Sequence, residues 1–194
     1  MRTWKRKGRG TGLRIVSSLD SHESELIGSL VGSLQELLAE REATAPRDQL
    51  SELTGIPSGH SAPPDDVTLG RLLPDFHRPE QDEEILADAV NSDLNGALRS
   101  MYEPGIIAAK NSAARAVIDT LPAGGGEVSL TEAQAEQWLA AINDVRLALG
   151  AMLGVTESTP EHLPPDDPNA AHLDVYHWLT VVQELLVVAL AGGR

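Results

Sequence analysis

The sequence predicts a mainly α (α+β) protein: a helical bundle of six or seven helices with a small three-stranded antiparallel sheet. Three observations point there. Apolar residues recur at helical spacing in most of the long segments. Strand-like sequence is confined to the basic start and to residues 127–130. The 194 residues, 41% hydrophobic and 23% charged, suit a folded protein read as a single domain over 1–194, with a basic β-hairpin at 1–19 and a helical body at 20–194.

The hairpin reading rests on two short runs, WKRK and LRIVSSL, flanking the glycine-rich GRGTG. Its alternative is a disordered basic tail. No apolar core region follows the basic residues, so the start does not read as a signal peptide. Asp20 with Glu23 three positions on is a helix-start signature. It opens a helix carrying Leu26, Ile27, Leu30, Val31, Leu34, Leu37 and Leu38, expected to end near Arg41 or Glu42. Residues 46–55 read as a short helix between Pro46 and Gly55. A second short helix follows Asp66 and stops at Pro74.

Residues 82–102 read as a helix with Ile85, Leu86, Ala89, Val90, Leu94, Ala97, Leu98 and Met101 on its core side. Pro104 is expected to break it and to start another helix over 105–121. The glycines at 124–126 end that helix, and 127–130 form the third strand. Thr131 with Gln134 makes a capping box. The helix over 131–153 places Ala135, Trp138, Leu139, Ile142, Val145, Leu149 and Met152 on its core face. Met101 and Met152 are accordingly expected to be buried. Asp167 and Pro168 are expected to start the last helix, through about Leu190.

That last helix is apolar on nearly every face, so it reads as buried centrally or as closing a subunit interface around Val181, Leu185 and Val188. Gln183 and Glu184 interrupt it, and its unbroken apolar stretch is shorter than the roughly 18 residues a membrane span needs. No membrane association is expected.

Composition excludes several chemistries. With no cysteine, disulfides, Fe–S clusters, thiolate zinc sites and cysteine catalysis are impossible. GRGTG neither follows an apolar strand nor opens a helix, so it is a turn rather than a phosphate loop. His172 and His177 stand five residues apart, about 140° around a helix, and do not share a face. No nucleophile elbow or calcium-loop spacing is present. No catalytic, metal or cofactor-binding residue is assigned.

Charge is unevenly placed. Residues 1–14 hold six basic side chains and no acid, while the remainder holds 9 basic and 29 acidic ones. The basic start could neutralise the acidic body, bind an acidic protein surface, or touch nucleic-acid phosphate. The acidic remainder makes direct nucleic-acid binding unfavourable. A partner site would use Lys5, Arg6, Lys7 and Arg9, with Trp4 as apolar anchor. A second polar set lies inside the helices: Asn95, Arg99, Lys110, Arg115, Asn143, Asp144 and Arg146. If buried, these charges must be paired. They read as structural ion pairs or as a small-ligand pocket.

The strings LTGI at 53–56, LLPDFHRP at 72–79, LNGALRSMYEP at 94–104, AINDVRLALG at 141–150 and HLDVYHWLTVVQE at 172–184 carry a resemblance. Together they resemble the actinobacterial domain-of-unknown-function 2017 family, which includes an oxidative-stress regulator. The resemblance runs from Trp4 to Leu190. It implies a mostly helical cytoplasmic protein, encoded near a protease adaptor and cysteine-biosynthesis genes. It also implies a regulatory partnership with a stress sigma factor and a redox-active C-x-x-x-C near the start. Here that region reads K-R-K-G-R, Lys5 to Arg9, so thiol sensing does not carry over. Three readings follow. The first is a non-enzymatic regulator that binds the transcription machinery, with a possible homodimer. The second is a ligand-binding or enzymatic domain using the buried polar set. The third is an adaptor in proteolysis or cysteine metabolism.

Overall fold

The computed structural model describes residues 2–46, 58–77 and 87–192. Strands β1 (Lys5–Lys7) and β2 (Arg14–Leu19) precede helix α1 (Ser21–Ala43). Then come α2 (Val67–Leu72), α3 (Ala87–Thr120), β3 (Gly126–Leu130), α4 (Glu132–Met152) and α5 (Ala170–Leu190). The class is the expected one, mainly helical with one small sheet. The short helix expected over 46–55 lies almost wholly outside the described residues, as do Ile85 and Leu86.

The chain divides into two compact units, residues 1–35 with 110–194, and residues 36–109. In the first, the antiparallel sheet has the order β1-β2-β3. Ile15 pairs with Leu130 and Ser17 with Val128, which puts these four residues on one face. All four are buried, and the Ser17 hydroxyl donates to the Arg2 carbonyl. The buried Trp138 of α4 meets Trp4 edge-on, with ring centroids 5.7 Å apart, and donates to the Thr120 hydroxyl at 2.7 Å.

Local signals set the helix starts. The Asp20 carboxylate accepts from the Glu23 amide at 2.8 Å, and the Glu23 carboxylate accepts from the Asp20 amide at 2.9 Å. Thr131 and Gln134 form the second capping box. Asp66 accepts from the Leu69 amide at the start of α2. Gly125 is required where it stands. Its φ is +87°, and a Cβ there would lie 2.7 Å from the backbone of Asp20 and Ser21.

Four expectations are corrected. Helix α3 does not break at Pro104 but runs through it. The missing proline N–H would orphan the Ser100 carbonyl; the Gly59 amide donates to that carbonyl at 2.7 Å instead. The start of α5 is also later than expected. Asn169 flanks the helix, and the Asp167 carboxylate accepts from the Asn169 amide in the turn before it. Met101 and Met152 are exposed, at 67% and 57%. Finally, the apolar side expected for the first half of α3 faces out: Val90, Leu94 and Met101 are exposed, while Asn91, Arg99 and Glu103 are buried.

Helix α5 is buried along Leu173, Leu179, Val182, Leu186 and Ala189, and it packs along α4. It is long and apolar enough to cross a membrane by length and composition alone. Its buried face packs against α4, where Gln183 donates to Asn143 at 3.2 Å.

Candidate functional site

The inverted face of α3 builds the most distinctive polar region, inside the unit formed by residues 36–109. Asn91, Asn95, Arg99 and Glu103 recur every four residues, so they form one row along the helix. The loops on either side of α2 lie against this row. Arg99 is 1% exposed. It donates to the Leu73 carbonyl at 2.9 Å, to Glu103 at 2.9 Å and to Asp75 at 2.7 Å. Arg41 binds the other side of Glu103 at 2.8 Å and donates to the Ala62 carbonyl at 2.7 Å. The chain Asp75–Arg99–Glu103–Arg41 therefore alternates in charge and sums to zero, which is how buried charges are accommodated. His60 closes this end: its Nε2 lies 2.8 Å from the Arg41 carbonyl, which can only accept, so Nε2 carries the proton.

Asn95 acts differently. Its side-chain oxygen accepts from the His77 amide at 2.8 Å, and its amide nitrogen donates to the His77 carbonyl at 2.9 Å. One side chain thus holds both backbone groups of one residue. Gly96 allows the Ser61 backbone to come close, since a Cβ there would lie 3.2 Å from the Ser61 carbonyl oxygen. Between these parts lies an open cavity of about 740 Å³, lined by Ser61, Asp75, His77, Asn91, Asp93 and Arg99 among others. Asn91 is 9% exposed, and its buried amide nitrogen has no hydrogen-bond partner among the described residues. The same holds for the buried Arg99 Nε.

The expected polar set therefore does not form one site. Asn95 and Arg99 belong to this cavity. Lys110, Asn143, Asp144 and Arg146 belong to the other unit. There Lys110 and Asp144 form an ion pair at 2.6 Å that ties α3 to α4. Asn143 accepts from Gln183, and Arg146 donates to the Tyr176 hydroxyl at 3.3 Å while its guanidinium lies 5.6 Å from that ring's centre. Arg115 is exposed. Asn91, Asp75, His77 and Glu103 were missed by sequence reasoning. The signal that could have found three of the cavity's residues with Glu103 is the four-residue spacing 91, 95, 99, 103.

The basic start also separates into parts. Trp4 is 4% exposed, so it is a core residue and is not available as a surface anchor. Arg6 reaches the end of α5, donating to the Ala189 carbonyl at 3.2 Å and the Leu190 carbonyl at 2.8 Å. A cation at a helix C-terminus satisfies free carbonyls and complements the helix dipole. Lys7 pairs with Glu127 at 3.5 Å on the surface. Lys5 and Arg9 are exposed. On α5, Val181 and Val188 are exposed and Leu185 is half-buried, so the described residues cover this stripe only in part. Among the described residues, no group of three or more acidic or histidine side chains is arranged to hold a metal.

The profile of the family described as "Domain of unknown function (DUF2017)" matches residues 1–190. This chain belongs to the DUF2017 family. It is 48% identical over 196 residues to proteins named "Oxidative stress regulator AosR" from Mycobacterium tuberculosis (strain ATCC 25618 / H37Rv) and Mycobacterium bovis. Those alignments take in 100% of this chain and 90% of each relative. A Mycobacterium leprae relative is 49% identical over 193 residues, covering 98% of this chain and 88% of its own length. No solved structure matches this DUF2017 chain.

Proposed function

We propose that this chain is a non-enzymatic regulatory protein of the oxidative-stress response. In this reading it works in the cytoplasm by binding a protein of the transcription machinery, a sigma factor, without a thiol switch. The observation that carries the reading is the 48% identity, over the whole chain, to proteins named as oxidative stress regulators. The pairing of Lys110 with Asp144 and of Arg99 with Glu103 supports a structural role for those charges over a catalytic one.

Cysteine is absent, so oxidant cannot act on this chain through a disulfide or a sulfenic acid. A response then comes from the abundance of the chain, from chemistry in its partner, or from oxidation of the exposed Met101 and Met152. Lys5, Lys7 and Arg9 are among the exposed cations of the hairpin and suit an acidic protein surface. The 29 acidic residues disfavour a nucleic-acid phosphate partner.

Two measurements test the proposal. Deleting the gene should change the transcripts induced by peroxide, and the intact gene should restore them. Purified stress sigma factors should be retained by the immobilised chain, and less so at higher salt. Lys5→Ser, Lys7→Ser and Arg9→Ser together should weaken that retention. An unchanged peroxide transcript profile rules out the regulatory role. Retention by no sigma factor removes that partner.

A further inference from the structure

Helix α5 carries a charge where its surface is otherwise mostly apolar. Glu184 is the only charged residue between positions 178 and 190. Its nearest neighbours on the helix surface, three and four positions away, are Thr180, Val181, Val187 and Val188. Glu184 and the three valines are exposed. Thr180 and Gln183 are bonded within the chain, to the Tyr176 carbonyl at 3.0 Å and to Asn143 at 3.2 Å. Glu184 has no cation at ion-pair distance among the described residues.

Arg146 of α4 has the opposite deficit. Its half-buried guanidinium contacts the hydroxyl and the ring of Tyr176, both neutral. Arg41, Arg99 and Lys110, also buried or half-buried, each hold a carboxylate. Arg146 holds none among the described residues. Arg146 and Glu184 line one groove of about 450 Å³ with Val187 and Val188, yet they do not pair with each other. In the unit that contains this groove, only residues 1, 193 and 194 lie outside the described ones. No long segment of that unit is left over to cover it.

A partner of one charge sign would satisfy only one of these two groups. A face with one unpaired cation, one unpaired anion and a surround of valines is complementary to its own copy turned over. In a two-fold interface the same patch meets itself, so each contact occurs twice.

We propose that two copies of this chain pair through α5 about a two-fold axis, with Arg146 of each meeting Glu184 of the other. Val181, Val187 and Val188 pack around the two ion pairs. The pairs fix the register of a seam that valines alone would leave free to slide. No hairpin residue takes part, so the interface stands apart from the regulatory reading.

Analytical ultracentrifugation of the full chain tests this. The mass should rise with concentration from 20.7 kDa toward twice that value and no further, since such a contact closes on itself. Arg146→Glu and Glu184→Arg each set like charges against one another in both contacts. Each should weaken pairing at least about tenfold. An equimolar mixture of the two variants should recover most of the parent's pairing, because both contacts of the mixed pair again join opposite charges. An ion pair made within one chain gives no such recovery. Glu184→Arg alters only an exposed side chain, so it reads the interface even if Arg146→Glu perturbs folding. The proposal is overturned by a parent chain that stays monomeric or grows past two copies, or by Glu184→Arg pairing like the parent. It is equally overturned if the two folded variants, mixed, pair no better than either alone.

Discussion

The Gly59 amide stands in for the N–H that Pro104 lacks within α3: it donates at 2.7 Å to the Ser100 carbonyl, which Pro104 four residues later cannot serve. The same approach leaves no room for a side chain. A Cβ on Gly59 would lie 2.9 Å from Pro104 Cδ and 3.3 Å from the Ser100 carbonyl oxygen.

Gly59→Ala should therefore destabilise the chain by about 1–3 kcal/mol, the usual cost of overpacking. Pro104→Ala removes the ring that the new methyl would strike. The double variant should be more stable than the two single effects added together. Urea unfolding of the four proteins measures this, and simple additivity would contradict the proposed clash.

The ion-pair row makes a second expectation. Glu103 lies between Arg99 and Arg41 and is 1% exposed. Glu103→Leu leaves Arg99 buried with Asp75 as its remaining carboxylate partner, and should cost about 3–5 kcal/mol. Arg99→Leu combined with Glu103→Leu should cost less than the sum of the single changes, because neither charge is stranded by the other. Denaturant midpoints with unchanged slopes would establish the comparison.

Much of the first unit was legible because its signals are local. The Asp20–Glu23 and Thr131–Gln134 boxes need only four residues each, and the period of α4 picks out Trp138, Ile142 and Val145 directly. Helix α3 was misread for non-local reasons. Its continuation through Pro104 depends on an amide from a distant loop. Its inward face is polar because Arg41 and Asp75, far off in sequence, neutralise Arg99 and Glu103. Apolar periodicity has no means of registering such partners. The same holds for Arg6, read as a partner contact and found on the carbonyls of α5.

The exposed methionines carry a third expectation. Mild peroxide should convert Met101 and Met152 to sulfoxides, seen by peptide mass. Because both are exposed, stability should change by no more than about 0.5 kcal/mol, as for most surface substitutions. With no cysteine in the chain, reductant should have no effect on electrophoretic mobility. A shift reversed by a thiol reductant would contradict this.

The hairpin charges divide into two classes with different expected outcomes. Arg6→Ala removes two carbonyl contacts at the end of α5 and should cost about 1 kcal/mol. Lys5→Ser and Arg9→Ser should change stability by under about 0.5 kcal/mol. Thermal unfolding of each variant separates the classes. Equal losses for all three would remove the distinction.

The exposed part of the α5 stripe predicts self-association. Light scattering at high concentration should give a mass above the 20.7 kDa of one chain. Val181→Asp with Val188→Asp should return it to that value. A monomeric parent chain at every concentration would leave the stripe without this role.

Strand β2 has one neighbour a few residues before it and another far ahead, since Leu19 pairs with Gly126. During synthesis at about 5–20 residues per second, the roughly one hundred residues between them take about 5–20 s to emerge. Throughout that interval Ile15 and Leu19 have neither β3 nor the Trp138 helix to cover them. Slowing translation between residues 20 and 126 should therefore lengthen that exposure in proportion.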